Sequence, residues 1–147
     1  MLSHREEKIL PFKKKQLADL VLDVEKYPEF LPWCSDCKII KLEAKDHFFA
    51  NLKIEYNKIC FSYISEIKKL EKDNKIIIDV TSRKGPFRKL KNIWEFEDSK
   101  DGCKTDFFIS IQLKSTILNK LLKLIYNKAY EKMLESFTNR AHKIYNS

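Results

Sequence analysis

The chain has 147 residues, 44% hydrophobic and 34% charged, which suits one soluble domain with its own core and excludes a disordered chain. Two glycines and four prolines leave no room for a linker, a collagenous tract or a low-complexity segment. The net charge of +8 favours an anionic partner such as RNA, a ribosome or an acidic membrane, although a Lys-, Ile- and Asn-rich composition also fits an AT-rich coding sequence.

The opening MLSHREEKIL lacks the apolar stretch of a signal peptide, and no run approaches the ~20 apolar residues of a spanning helix. The expectation is a bacterial cytosolic protein, or one peripheral to the inner face of the cytoplasmic membrane, whose four cysteines stay reduced. HREEKILPF reads as a first strand ended by Pro11. In KKKQLADLVLDV, Leu17, Leu20, Val21 and Val24 recur at helical spacing, and Tyr27-Pro28 stops that helix. PEFLP between its two prolines is at most one short helical turn.

From Ile39 to Leu113 the period changes to two. Phe48, Ala50, Leu52, Ile54 and Tyr56 share one face of a strand, and Ile59, Phe61, Tyr63, Ser65 and Ile67 share one face of the next. Ile76, Ile78 and Val80 follow, then Leu90, Asn92, Trp94 and Phe96, then Thr105, Phe107, Ile109, Ile111 and Leu113. Strict alternation means one covered and one wet face. KDH, EKDN and KDG separate neighbours as hairpin turns, so the strands form an antiparallel meander. From Ser115 to Tyr145 a helical stripe returns, long enough for about 27 residues or about 40 Å of helix. That exceeds what one sheet face needs for cover, so sheet and helix together are expected to enclose a groove or tunnel.

Trp33-Cys34-Ser35-Asp36-Cys37 has redox spacing but the wrong context. A thioredoxin-like pair follows a buried strand and opens a helix, whereas this one follows a proline-flanked turn and leads into the strand-like KIIKLE. A zinc site would need Cys60, His47 or Cys103 from other strands, and no second Cys-x-x-Cys exists. The cysteines read as small, half-buried residues.

Without its sulfur the stretch reads LVLDVEKYPEFLPWC, which closely resembles the signature of the coenzyme Q-binding protein family. Its bacterial relatives include the ribosome-association toxins, within the START-like, polyketide-cyclase-related SRPBCC superfamily. GPFRKLKNIWEF resembles the family's Gly-Pro-Phe and Trp-x-Phe element, and YEKMLESFTNRAHKIY its C-terminal helix, so the likeness spans the whole chain. Asn92 stands where glycine is common and Ser136 where alanine is common. An inward Asn92 would change what an interior cavity accepts.

The resemblance implies an α+β helix-grip (START-like) fold in one domain, residues 1–147: a curved antiparallel sheet of six to seven strands around a long C-terminal helix, with one or two short helices after the first strand. It further implies an apolar cavity holding ubiquinone or a similar polyprenyl lipid as a bound ligand, with no covalent cofactor, in support of respiratory electron transport. Phe61, Tyr63, Trp94, Phe96, Phe107 and Ile109 would line that cavity from the sheet. Leu121, Ile125, Met133 and Phe137 would face them from the helix. Phe30, Leu31 and Trp33 would stand at the rim, as a lid or as a static turn. The same residues also suit a filled core.

RKGPFRKLK places Arg83, Lys84, Arg88, Lys89 and Lys91 around a turn that carries Phe87. Either the aromatic inserts into an anionic membrane surface that the cations attract, or it tucks back into the core. Glu55, Glu66 and Asp79 are the acid–base candidates for a cyclase, but they read as outer-face residues. No catalytic motif or metal cluster is evident, so a non-enzyme is expected. A ribosome-binding inhibitor of subunit association is the alternative and an aromatase/cyclase the third reading. No motif for sequence-specific nucleic-acid recognition is found.

Overall fold

Seven alternating segments pair into one antiparallel sheet in the computed structural model, which describes residues 2–56, 58–116, 119–120 and 131–146. In chain order the elements are β1 (Leu2–Leu10), α1 (Lys14–Leu22), a 3-10 turn (Val24–Glu29), β2 (Cys34–Ala44), β3 (His47–Tyr56) and β4 (Ile59–Lys72). They continue with β5 (Lys75–Ser82), β6 (Phe87–Ser99), β7 (Gly102–Leu113) and a C-terminal helix, α2 (Glu131–Tyr145). The strand order is β1-β7-β6-β5-β4-β3-β2, a meander whose first strand returns to pair with the last.

Turn chemistry sets the hairpins. Lys72 pairs with Lys75, and between them Asp73 and Asn74 take φ of 53° and 65°, the left-handed pair that matches strand twist. Gly102 follows the β6–β7 turn with φ of 133°, and a Cβ there would lie 2.3 Å from the Leu10 carbonyl oxygen. The glycine is therefore demanded by the end of β1 crossing close by, as well as by the turn.

The inward faces are those that the alternation predicts. Phe48, Ala50 and Leu52 on β3, Ser65 and Ile67 on β4, Ile76 and Ile78 on β5 and Leu90, Asn92, Trp94 and Phe96 on β6 are buried in register. Several boundaries differ from the sequence expectation: α1, for one, ends at Leu22, and Pro28 lies inside the 3-10 turn that follows it. β1 begins at Leu2, because its whole length pairs with β7, and β2 begins at Cys34.

The helices cover this face. α1 buries Leu17, Ala18, Leu20 and Val21. Its first turn is capped from the sheet, the Lys14 amide donating to Asp98 at 2.8 Å, while Gln16 accepts from the Lys13 amide at 2.9 Å. α2 buries Leu134, Phe137 and Ala141, and the Tyr145 hydroxyl donates to the Gln16 carbonyl at 2.8 Å, fastening α2 to α1. Leu121 and Ile125 lie outside the described residues.

Candidate functional site

The space between the inner sheet face and α2 divides into a sealed part and an open part. In the sealed part, Phe137 descends from α2 into a ring cluster. Its centroid lies 5.0 Å from Trp94, 5.1 Å from Phe30 and 5.3 Å from Tyr27, each edge to face. Trp94 meets Phe107 at 4.7 Å and stacks beside Phe96 at 5.9 Å. Trp94, Phe96 and Phe107 are buried, with 2%, 1% and 1% of their surface exposed. Leu31, Ile109 and Phe137 are buried with them. These rings come from both sheet and helix and pack on one another.

Asn92 belongs to the same sealed part. Its side-chain amide donates to the Phe108 carbonyl at 2.8 Å, and its oxygen accepts from Trp94 Nε1 at 2.9 Å. The inward polar group therefore holds the tryptophan in place.

The open part lies toward β3, β4 and the rim. Phe30, Trp33, Phe61, Tyr63 and Met133 border the core but keep free surface. Phe87 closes one side: it is 3% exposed, with its ring 4.8 Å from Tyr63 and 5.9 Å from Phe61. The ring is thus tucked among aromatics. At the rim, Arg140 on α2 pairs with Glu29 at 3.1 Å and stands 5.2 Å over the Phe30 ring, tying the 3-10 turn to the helix. No local pattern signals that pair, whose members are more than a hundred residues apart.

The cysteines are placed by a bulge. Cys34 pairs with Ile54 while Asp36 pairs with Lys53, so Ser35 is an extra residue. Cys37, three residues on, then faces the same interior as Cys34, where strict alternation would put it opposite. Burial pushes the Cys34 thiol up to about 11 and the Cys37 thiol up to about 12. Both are neutral thiols at physiological pH, unsuited to exchange chemistry. Among the described residues no group of three His, Cys, Asp or Glu side chains is arranged to hold a metal.

Ionic groups collect on the outer face. Glu66 and Asp79 line an outer cleft of about 470 Å³, Glu66 meeting His47 at 2.6 Å and Asp79 meeting Lys91 at 2.9 Å. Glu55 pairs with Lys53 at 3.2 Å. None of the three acids reaches the interior. Lys91 is thus paired with Asp79. Arg83, Lys84, Arg88 and Lys89 form no ion pair among the described residues, so four of the five expected cations remain uncompensated around this turn. No described helix is long and apolar enough to cross a membrane.

Comparison with known proteins agrees with this architecture. A family model described as polyketide cyclase / dehydrase and lipid transport matches residues 10–138. The ribosome association toxin RatA of Rickettsia prowazekii (strain Madrid E) is 39% identical over 145 residues, covering 98% of this chain and 99% of that one. The mitochondrial coenzyme Q-binding protein COQ10 of Dictyostelium discoideum is 31% identical over 143 residues, covering 95% of this chain and 69% of that one. Among solved structures, the 18 kDa protein CC1736 from Caulobacter crescentus is 27% identical with a TM-score of 0.76, over 100% of both chains. These likenesses fit a curved seven-stranded antiparallel sheet with a C-terminal helix and short helices.

Proposed function

The chain belongs to the polyketide cyclase / dehydrase and lipid transport family, and from that premise we propose that it holds a hydrophobic ligand between sheet and α2, with a ubiquinone-type polyprenyl lipid the first choice. The observation that carries this reading is the open part of the interior. Phe61, Tyr63, Trp33 and Met133 border the core yet retain free apolar surface, which an intruding lipid tail would cover. Each Å² so covered contributes about 25 cal/mol, so a tail burying a few hundred Å² binds without any polar contact. Similarity to a protein named for coenzyme Q binding supports the quinone as ligand. The protein acts here as a binder and carrier, since the acids weighed for acid–base work lie on the outer face. Organic extraction of the purified protein followed by mass spectrometry is expected to recover a quinone or related polyprenyl lipid. Protein repeatedly empty after purification from quinone-containing cells would refute the reading.

A second reading is ribosome association, which the 39% identity to a ribosome association toxin and the uncompensated cations near Gly85 favour. Phosphate contacts through those cations would carry it.

A further inference from the structure

Polar groups directed into the interior are satisfied almost throughout. Asn92 and Trp94 bond to each other, Thr105 Oγ1 lies 3.4 Å from the Cys103 carbonyl, and Ser82 donates to the Ile64 carbonyl at 2.6 Å. The Tyr27 hydroxyl, on the rim side of the same space, donates to the Val21 carbonyl. The Tyr63 hydroxyl, by contrast, bonds to no described residue, and Arg140 Nε at the rim is likewise without a described partner.

An unmet hydroxyl is ordinary at a solvent-facing position, but Tyr63 does not point outward. It shares the inward face of β4 with Phe61 and Ser65 and pairs with Leu52 on β3. It is half-buried and keeps free surface. An inward side chain with free surface is one that a ligand entering beside β4 can meet. The surroundings explain the room: Ala50 pairs with Ser65 and Cys37 pairs with Leu52, so small side chains stand beside the phenol.

The ring cannot swing to find another partner. Phe87 packs edge-on at 4.8 Å and Phe61 lies at 6.1 Å. Gly85 presses on its backbone so closely that a Cβ there would meet Tyr63 Cβ at 3.2 Å. Enclosure also raises the phenol's pKa well above the ordinary tyrosine value, so it stays a neutral donor at physiological pH.

From this placement, and resting on the interior-ligand reading, we infer that Tyr63 is the polar anchor of the site and donates its hydrogen to a carbonyl oxygen on the ligand's head. The class of ligand is thereby narrowed to an apolar tail that bears a carbonyl-containing ring. A fixed donor beside apolar walls discriminates by the cost of leaving it unpaired. A pure hydrocarbon would fill the walls and leave the hydroxyl bare.

The test compares decylubiquinone with decylbenzene, which has a ten-carbon tail but no ring carbonyl, by retention on immobilised protein. Tyr63→Phe keeps the ring and its packing. It is expected to weaken decylubiquinone binding about tenfold and to leave decylbenzene unchanged. Decylubiquinone affinity kept within about twofold would overturn the anchor while the interior-ligand reading stands. Retention of neither probe by the unaltered protein would overturn both. Infrared difference spectra of carbonyl-labelled decylubiquinone on the unaltered protein give a measurement independent of the variant. A carbonyl band shifted to lower frequency is expected, and a band at the unbonded position would overturn the anchor.

Discussion

Three buried thiols and one exposed thiol give the cysteines distinct chemistry. The folded-state pKa values of Cys34 and Cys37, about 11 and about 12, lie above the ~8.5 of an unfolded thiol. The stabilisation from keeping these thiols neutral is therefore complete below the unfolded value and is lost as pH rises through 11 to 12. At pH 8 in native buffer, a thiol-disulfide reagent is expected to label Cys60 promptly and the other three only after unfolding. Prompt labelling of Cys34 or Cys37 would show that the bulge does not turn both inward. The context of this pair in the sequence argues against redox use. It could not show their shared orientation, because residues three apart on a regular strand face opposite ways.

Close backbone approaches decide how elements tolerate change. Gly102→Ala would set a Cβ 2.3 Å from the Leu10 carbonyl oxygen, and either β1 or the β6–β7 hairpin must move. Gly85→Ala meets the Ser62 carbonyl oxygen at 3.0 Å, a milder contact at a φ of 74°. Both are expected to lower stability by more than about 1 kcal/mol, with Gly102→Ala the larger loss in urea unfolding. Equal and negligible losses would mean that β1 does not cross there. Asp101-Gly102 was legible as a hairpin signal. The second demand on that glycine was not, because it comes from a strand some ninety residues earlier that local pattern cannot place.

At the scale of the molecule, the interior is sealed at one end and open at the other, and an uncompensated basic cluster adjoins Phe87 near the open end. Under the proposed lipid-binding function, that arrangement would place an anionic surface beside the ligand's entry. Each cation near such a surface adds about 1 kcal/mol. Replacing Arg83, Lys84, Arg88 and Lys89 together by Gln is expected to abolish binding to phosphatidylglycerol vesicles at low salt. Lys91→Gln should weaken binding far less, since Asp79 already neutralises that charge. Unchanged vesicle binding by the fourfold variant would remove membrane docking. If that variant instead loses salt-sensitive co-sedimentation with ribosomes while vesicles never bound, the ribosome reading prevails.

Periodicity alone determined that residues 39–113 are strands, which of their faces is covered, and that a helix closes the chain, because side-chain direction repeats locally at 2.0 or 3.6 residues. Tertiary structure decided which inward side chains stay open. Trp94 and Phe107 are buried, and Tyr63 is a donor without a partner among the described residues, because rings from distant segments, Phe137 and Phe87, pack where they do. It likewise joined Lys91 to Asp79 across neighbouring strands. Enclosure is a property of atoms brought together from across the chain, and no local repeat encodes it.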